Sequence, residues 1–183
     1  WRIPIDISDL SGNLGIPEIA ALITQAQDVD GELFPFDNAM YVPAGNLFGI
    51  LARPMPSLIF FQGTHRDFSY DADVIYHEMT HAVVGSVVDG VGLNFSHRDT
   101  QGLHQFSRAM NEAYADFFAT VQTDDPVMGE YAMGGPGMSP RDLSDRPRNG
   151  CPSRLMNEEH YDSAPYSQAL WEIRETLDAE SFE

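Results

Sequence analysis

The chain has 183 residues, 43% of them hydrophobic and 11% aromatic, enough to bury the core of one domain and to exclude wholesale disorder. Its 28 acidic residues against 10 basic ones give a net charge of −18, which excludes nucleic acid and anionic membrane as main partners. All ten basic residues are arginine, and the absence of lysine removes phosphate-loop, Schiff-base and Ser–Lys chemistry together. The single cysteine, Cys151, excludes an internal disulfide and a Cys-rich zinc site. No apolar run approaches the roughly 20 residues that span a bilayer, so no membrane insertion is expected. No signal peptide is visible, and the chain starts at Trp1.

In chain order, residues 1–15 mix Pro, Gly, Asp and Ser with isolated Ile and Leu, the pattern of an irregular or edge-strand entry. Pro17-Glu18 predicts a short helix reaching about Gln27, and Asp30-Gly31 ends it with a turn. Ala39–Val42 and Ser57–Phe61 read as strands, and the flanking Pro43, Pro54 and Pro56 predict edge positions for both. From Asp71 the apolar spacing turns helical. Asp71 caps, Asp73 complements the helix dipole, and Val74, Ile75, Ala82 and Val83 form a stripe that Gly90 and Gly92 close. A second helix is predicted over Ser107–Gln122, burying Ala109, Met110, Ala113, Tyr114, Phe117, Phe118 and Val121. Residues 123–159 read as a long loop of the kind that is functional or mobile. A last helix is predicted from Ala164-Pro165 to Leu177, capped by Ser163.

The strongest chemical signal is His77-Glu78-Met79-Thr80-His81. Residues four apart share a helix face, so both imidazoles can reach one metal ion, with Glu78 close enough to touch a water on it. Zinc suits such ligands, because its open tetrahedral site takes mixed N and O donors and keeps a place for water. On the second helix Glu112 and Asp116 are again four apart, and a carboxylate on a largely apolar face is costly unless paired or bound to metal. Glu112 is therefore assigned as third ligand. Asp116 and Asn111 are placed behind the ligands, Asp116 as the acceptor for a ligating histidine. Asp73, with Asp124, Asp125 and Glu130, offers oxygen atoms for a calcium ion (Ca²⁺), although a solvated acidic cluster is the commoner outcome of such a grouping.

With these motifs the sequence resembles the thermolysin-like and fungalysin-like zinc metallopeptidases, the gluzincins. "DADVIYHEMTHAV" is similar to their active-site helix and "NEAYADFFA" to their third-ligand helix. "RDLSD" at 141–145 resembles a loop carrying a substrate-binding arginine, and "HYDSAPYSQALWEIR" from His160 resembles the segment with the transition-state histidine. Asn38-Ala39 and the run after it resemble the edge strand on which these enzymes lay out substrate. The resemblance spans residues 37–174, in the family's order.

It implies zinc held by His77, His81 and Glu112, with Glu78 as general base and acid toward the zinc-bound water and His160 stabilising the oxyanion. Arg141 would bind a substrate carbonyl and could pair with Asp116, and Asn38 and Ala39 would pair with the substrate main chain. Leu155 stands at the spacing where the thermolysin family carries an acidic partner for this histidine. The expected fold is an α+β zincin catalytic domain over residues 1–183. A small sheet lobe with the active-site helix would cover about 1–90 and a helical lobe about 91–183. The expected function is zinc-dependent endopeptidase action on peptide or protein substrates, by a secreted protein. Two alternatives stay open: a minimal gluzincin with a narrow peptide substrate, and a peptidase-like zinc-binding module of a larger protein. Glu78 speaks against the module, which has no need of a general base.

Overall fold

The computed structural model describes residues 2–4, 20–28, 30–47, 51–53, 55–88, 93–100, 102–145 and 155–180. The fold is α+β. In chain order it contains β1 (Arg2–Pro4), β2 (Ala20–Thr24), β3 (Ala26–Gln27), β4 (Leu33–Phe34), β5 (Ala39–Val42), β6 (Gly45–Leu47), β7 (Leu51–Arg53) and β8 (Ser57–Phe61). Then follow α1 (Ala72–Val87), the hairpin β9 (His97–Asp99) and β10 (Gly102–His104), α2 (Phe106–Thr123), the pair β11 (Val127–Met128) and β12 (Arg141–Asp142), and α3 (Glu159–Glu180).

Four strands form the main sheet in the order β1-β2-β8-β5, with β2 parallel and β5 antiparallel to β8. Two expectations change here. The predicted helix from Pro17 to Gln27 is strand over Ala20–Thr24 and Ala26–Gln27, because Ala20–Thr24 gains a full ladder with Ser57–Phe61 that local helix propensity cannot match. Ser57–Phe61 is central rather than at an edge; Pro54 and Pro56 precede the strand, so no ladder N–H is lost within it.

Strand β5 is at the edge. The Asn38 carbonyl accepts the Phe61 N–H at 3.1 Å, so by antiparallel alternation Met40 also faces β8, while the N–H and C=O of Ala39 and Tyr41 turn away from it.

Helix α1 starts where Asp71 Oδ1 accepts the Asp73 and Val74 amides at 3.0 and 3.4 Å. Leu58, Phe60, Phe68, Val74, Ala82 and Met133 belong to the core between sheet, α1 and the turn after β11. Helix α2 packs between α1 and α3. Its buried residues are mostly small, Ala109, Ala113, Ala115, Ala119 and Thr120 among them, which lets its neighbours approach closely. Phe118, expected in that face, is 48% exposed.

Helix α3 begins at Glu159, five residues before the predicted start, and runs through Pro165. Ser163 does not cap it: the residue is buried inside the helix and its Oγ donates to the His160 carbonyl at 2.6 Å. The capping acceptor is Glu158, whose Oε2 takes the Tyr161 N–H at 2.7 Å. Gly90, Gly92 and Cys151 lie outside the described residues.

Candidate metal centre

Helix α1 presents His77, Glu78 and His81 to a cavity of about 270 Å³, and α2 brings Glu112 to the same cavity. Nε2 of His77 lies 3.1 Å from Nε2 of His81 and 3.1 Å from Oε2 of Glu112; the third side of the triangle is 3.4 Å. A tetrahedral ion with bonds of about 2.0–2.1 Å sets its ligand atoms about 3.3–3.4 Å apart, close to these separations. Oε2 of Glu112 is also buried without a hydrogen-bond donor among the described residues. Donor types, spacing and the unsatisfied oxygen all fit zinc. No other three His, Cys, Asp or Glu side chains converge in this way among the described residues.

Behind the triangle stands Asp116, only 1% exposed. Its Oδ1 lies 2.8 Å from Nδ1 of His77, an arrangement that leaves the Nε2 lone pair facing the triangle. Arg141 grips the same carboxylate, Nε donating to Oδ2 at 2.7 Å and Nη2 to Oδ1 at 2.6 Å. Burial alone would raise the Asp116 carboxyl; the Arg141 charge and the His77 contact hold it far below the ordinary carboxylate range. Burial likewise opposes a charge on His77, yet the Asp116 and Glu112 carboxylates raise its pKa from 6.5 to about 10 in the metal-free chain. Glu112 is held well below its usual value by the His81 and His77 imidazoles, against the effect of burial. For Glu78 burial wins: its carboxyl is raised, and the imidazoles and the Tyr41 N–H offset this only in part.

A measurable consequence concerns His77. Below about pH 10 a metal must displace its proton, so affinity should rise with pH and binding at pH 7 should release about one proton from this residue. Titration calorimetry in buffers of different ionisation enthalpy reads that proton directly. An affinity that stays flat between about pH 6 and pH 9 would contradict it.

The remaining predicted residues are placed as follows. Asn111 is buried beside Glu112; its Nδ2 donates to Asn94 Oδ1 at 3.2 Å, while its Oδ1 and the Nδ1 of His81 have no hydrogen-bond partner among the described residues. Asn38 and Ala39 line the cavity, and Asn38 Oδ1 accepts the Ala39 N–H at 2.9 Å. His160, on the first turn of α3, puts Nε2 3.4 Å from Glu112 Oε2 and Nδ1 2.9 Å from Glu158 Oε1. Glu158, two residues before His160, thus supplies the acidic partner that the family's spacing, filled here by Leu155, does not. Arg141 commits Nε and Nη2 to Asp116.

The four acids considered for calcium are occupied separately. Asp73 Oδ2 accepts the Gly129 N–H at 3.1 Å, Asp125 Oδ1 accepts the Val127 N–H at 2.9 Å, Asp124 pairs with Arg174, and Glu130 is exposed. They converge on no common point. Asp71 and Asp73 instead pin the turn after β11, Asp71 Oδ2 accepting the Ala132 N–H at 2.7 Å, and so place Met128 and Met133 on the cavity wall. Sequence reading missed Arg108, four residues before Glu112 on the same face of α2, which lines the cavity and faces Glu159.

The sequence profile of the fungalysin metallopeptidase family matches residues 20–175. The chain belongs to this family. Membership implies zinc-dependent peptidase activity on peptide or protein substrates, and the His77, His81 and Glu112 group of this fungalysin-family chain can hold the metal. Family members are typically secreted, and no described helix is long and apolar enough to cross a membrane. No curated protein and no solved structure matches the chain significantly.

Proposed function

We propose that this chain is a zinc-dependent endopeptidase of zincin architecture, secreted, with its cleft between a sheet lobe ending in α1 and a helical lobe built on α2 and α3. The observation that carries the reading is the convergence of His77, His81 and Glu112 in a cavity that Glu78 and His160 also line. Zinc held by the three ligands would supply Lewis-acid polarisation of the scissile carbonyl and would lower the pKa of water.

The chain's own residues do the rest. Glu78, whose carboxyl burial raises above its ordinary value, takes the proton of the attacking water and passes it to the leaving amine. His160 donates from Nε2 to the developing oxyanion while Glu158 holds Nδ1. Asp116 keeps the His77 imidazole in its working tautomer. The substrate main chain runs along β5, whose Ala39 carbonyl faces away from β8 and accepts its N–H. A second cavity of about 500 Å³ shares Asn38, Met133, Arg141 and His160 with the first, so the cleft continues past the metal centre, as a polymer substrate needs.

Cleavage of casein with and without a chelator tests this reading. Chelation should abolish cleavage and lower Tm, and zinc should restore both, since a ligand bound only to the folded state stabilises it by mass action. Stoichiometric zinc with no cleavage of any unstructured protein would replace the endopeptidase reading with that of a binding module or a narrow-substrate enzyme.

A further inference from the structure

We propose that Arg108 is a positioning residue for His160, an inference that rests on the peptidase reading of the site. Arg108, Glu112 and Asp116 stand four residues apart and form one stripe along α2. Glu112 serves the metal triangle and Asp116 serves His77 and Arg141. Arg108, the third member, reaches across to α3. Its Nε stands 2.7 Å from Oε2 of Glu159 and its Nη2 donates to Oε1 at 3.2 Å. Glu159 is the first residue of α3 and the immediate neighbour of His160.

With Nη2 donating to one carboxylate oxygen and the charged Nε close against the other, the planar guanidinium constrains the carboxylate's orientation as well as its separation, which a lysine ammonium does not. The two side chains are 39% and 22% exposed, so the pair adds little to stability, and its effect is mainly geometric. His160 needs such a hold. Its imidazole is half exposed, and Glu158, the partner of Nδ1, belongs to the same turn and moves with it. A second arginine contact of α3, Arg174 with Asp124 at the end of α2, lies toward the far end of α3 and cannot set the first turn. The Arg108–Glu159 pair therefore ties the His160 turn to the helix that carries Glu112, and keeps Nε2 at 3.4 Å from Oε2 of Glu112.

Two readouts test this, one independent of catalysis. In Arg108→Ala, kcat on a peptide substrate should fall about tenfold or more with KM changed less than about twofold and zinc content unaltered. Arg108→Lys should recover little, and the charge-swapped pair Arg108→Glu with Glu159→Arg should recover part. In a His160→Ala background, Arg108→Ala should cost nothing further. By NMR of isotope-labelled histidines in the zinc-loaded protein, the His160 ring signals should shift or broaden in Arg108→Ala while those of His77 and His81 hold. Unmoved His160 signals, or an equal loss of kcat in the His160→Ala background, would overturn the proposal. A wild type that cleaves nothing, but whose His160 signals still respond to Arg108→Ala, would overturn the peptidase reading and leave the positioning role standing.

Discussion

Glu78→Gln is expected to lower kcat by about 10²- to 10⁴-fold, the usual worth of a positioned general base, with zinc content unchanged. The two side chains have nearly the same shape, so the pocket stays filled, and the amide oxygen can still accept the Tyr41 N–H that faces Glu78. What disappears is the ability to take a proton. Glu78 is not among the three side chains that converge on the metal position, which is why elemental analysis should find the variant as metal-rich as the wild type. Stability gives a second, opposite sign. Burial holds the Glu78 carboxyl above its ordinary value, so its charge is disfavoured in the folded chain, and a neutral amide should leave Tm equal or higher. In the wild type, kcat should rise with pH as Glu78 loses its proton, at a pH above the ordinary carboxyl value, and the variant should lack that limb. Equal cleavage by the two proteins would sink the proposed mechanism.

The parts of the molecule that local chemistry decides were legible in the sequence. Asp71 caps α1 through contacts two and three residues away, and the four-residue spacing on α1 and α2 places side chains on faces without reference to the rest of the fold. Long-range pairing was not legible. Nothing between Ala20 and Thr24 announces a parallel ladder with Ser57–Phe61, so an opening Pro-Glu pair read as a helix start. Pro165 misled in a similar way. Proline is favoured in a first helical turn, yet here it sits inside α3, whose start is set by Glu158 accepting the Tyr161 amide. The partner of His160 was hidden for another reason: Leu155 fills the spacing where the resemblance places an acid, and Glu158 takes the role from the same turn. Arg141 and Asp116 are 25 residues apart, and pairing them from sequence required the resemblance to known peptidases. Arg108 was within reach of sequence reasoning, at the same spacing from Glu112 as Asp116, but a lone arginine on a helix surface carries no chemistry until its acidic partner is in view.

Asp116→Asn should be the most damaging substitution for the folded chain that leaves all three metal-facing atoms in place. The carboxylate is almost fully buried and satisfies two partners at once, Nδ1 of His77 and the Arg141 fork. Removing its charge leaves the guanidinium facing a neutral group. Breaking one side of a buried pair costs about 3–5 kcal/mol, and because Arg141 keeps 23% side-chain exposure the lower end of about 3 kcal/mol applies. The amide can also turn its NH₂ toward Nδ1 of His77, which favours the tautomer that carries its proton on Nε2, where the metal must bind. A loss of about 10- to 100-fold in zinc affinity follows from that second effect. Denaturant unfolding of the chelated protein isolates the first effect, and competitive zinc titration the second. The pH dependence carries its own sign. The native Asp116 carboxyl is depressed, so the wild type's advantage should be complete above the unfolded carboxyl's pKa of about 3.9 and should shrink as pH falls further through the native range. If the variant instead unfolds at the same denaturant concentration as the wild type at neutral pH, Arg141 must find another anion, and the link from α2 through Asp116 to the strand carrying Arg141 is not what holds His77 in place.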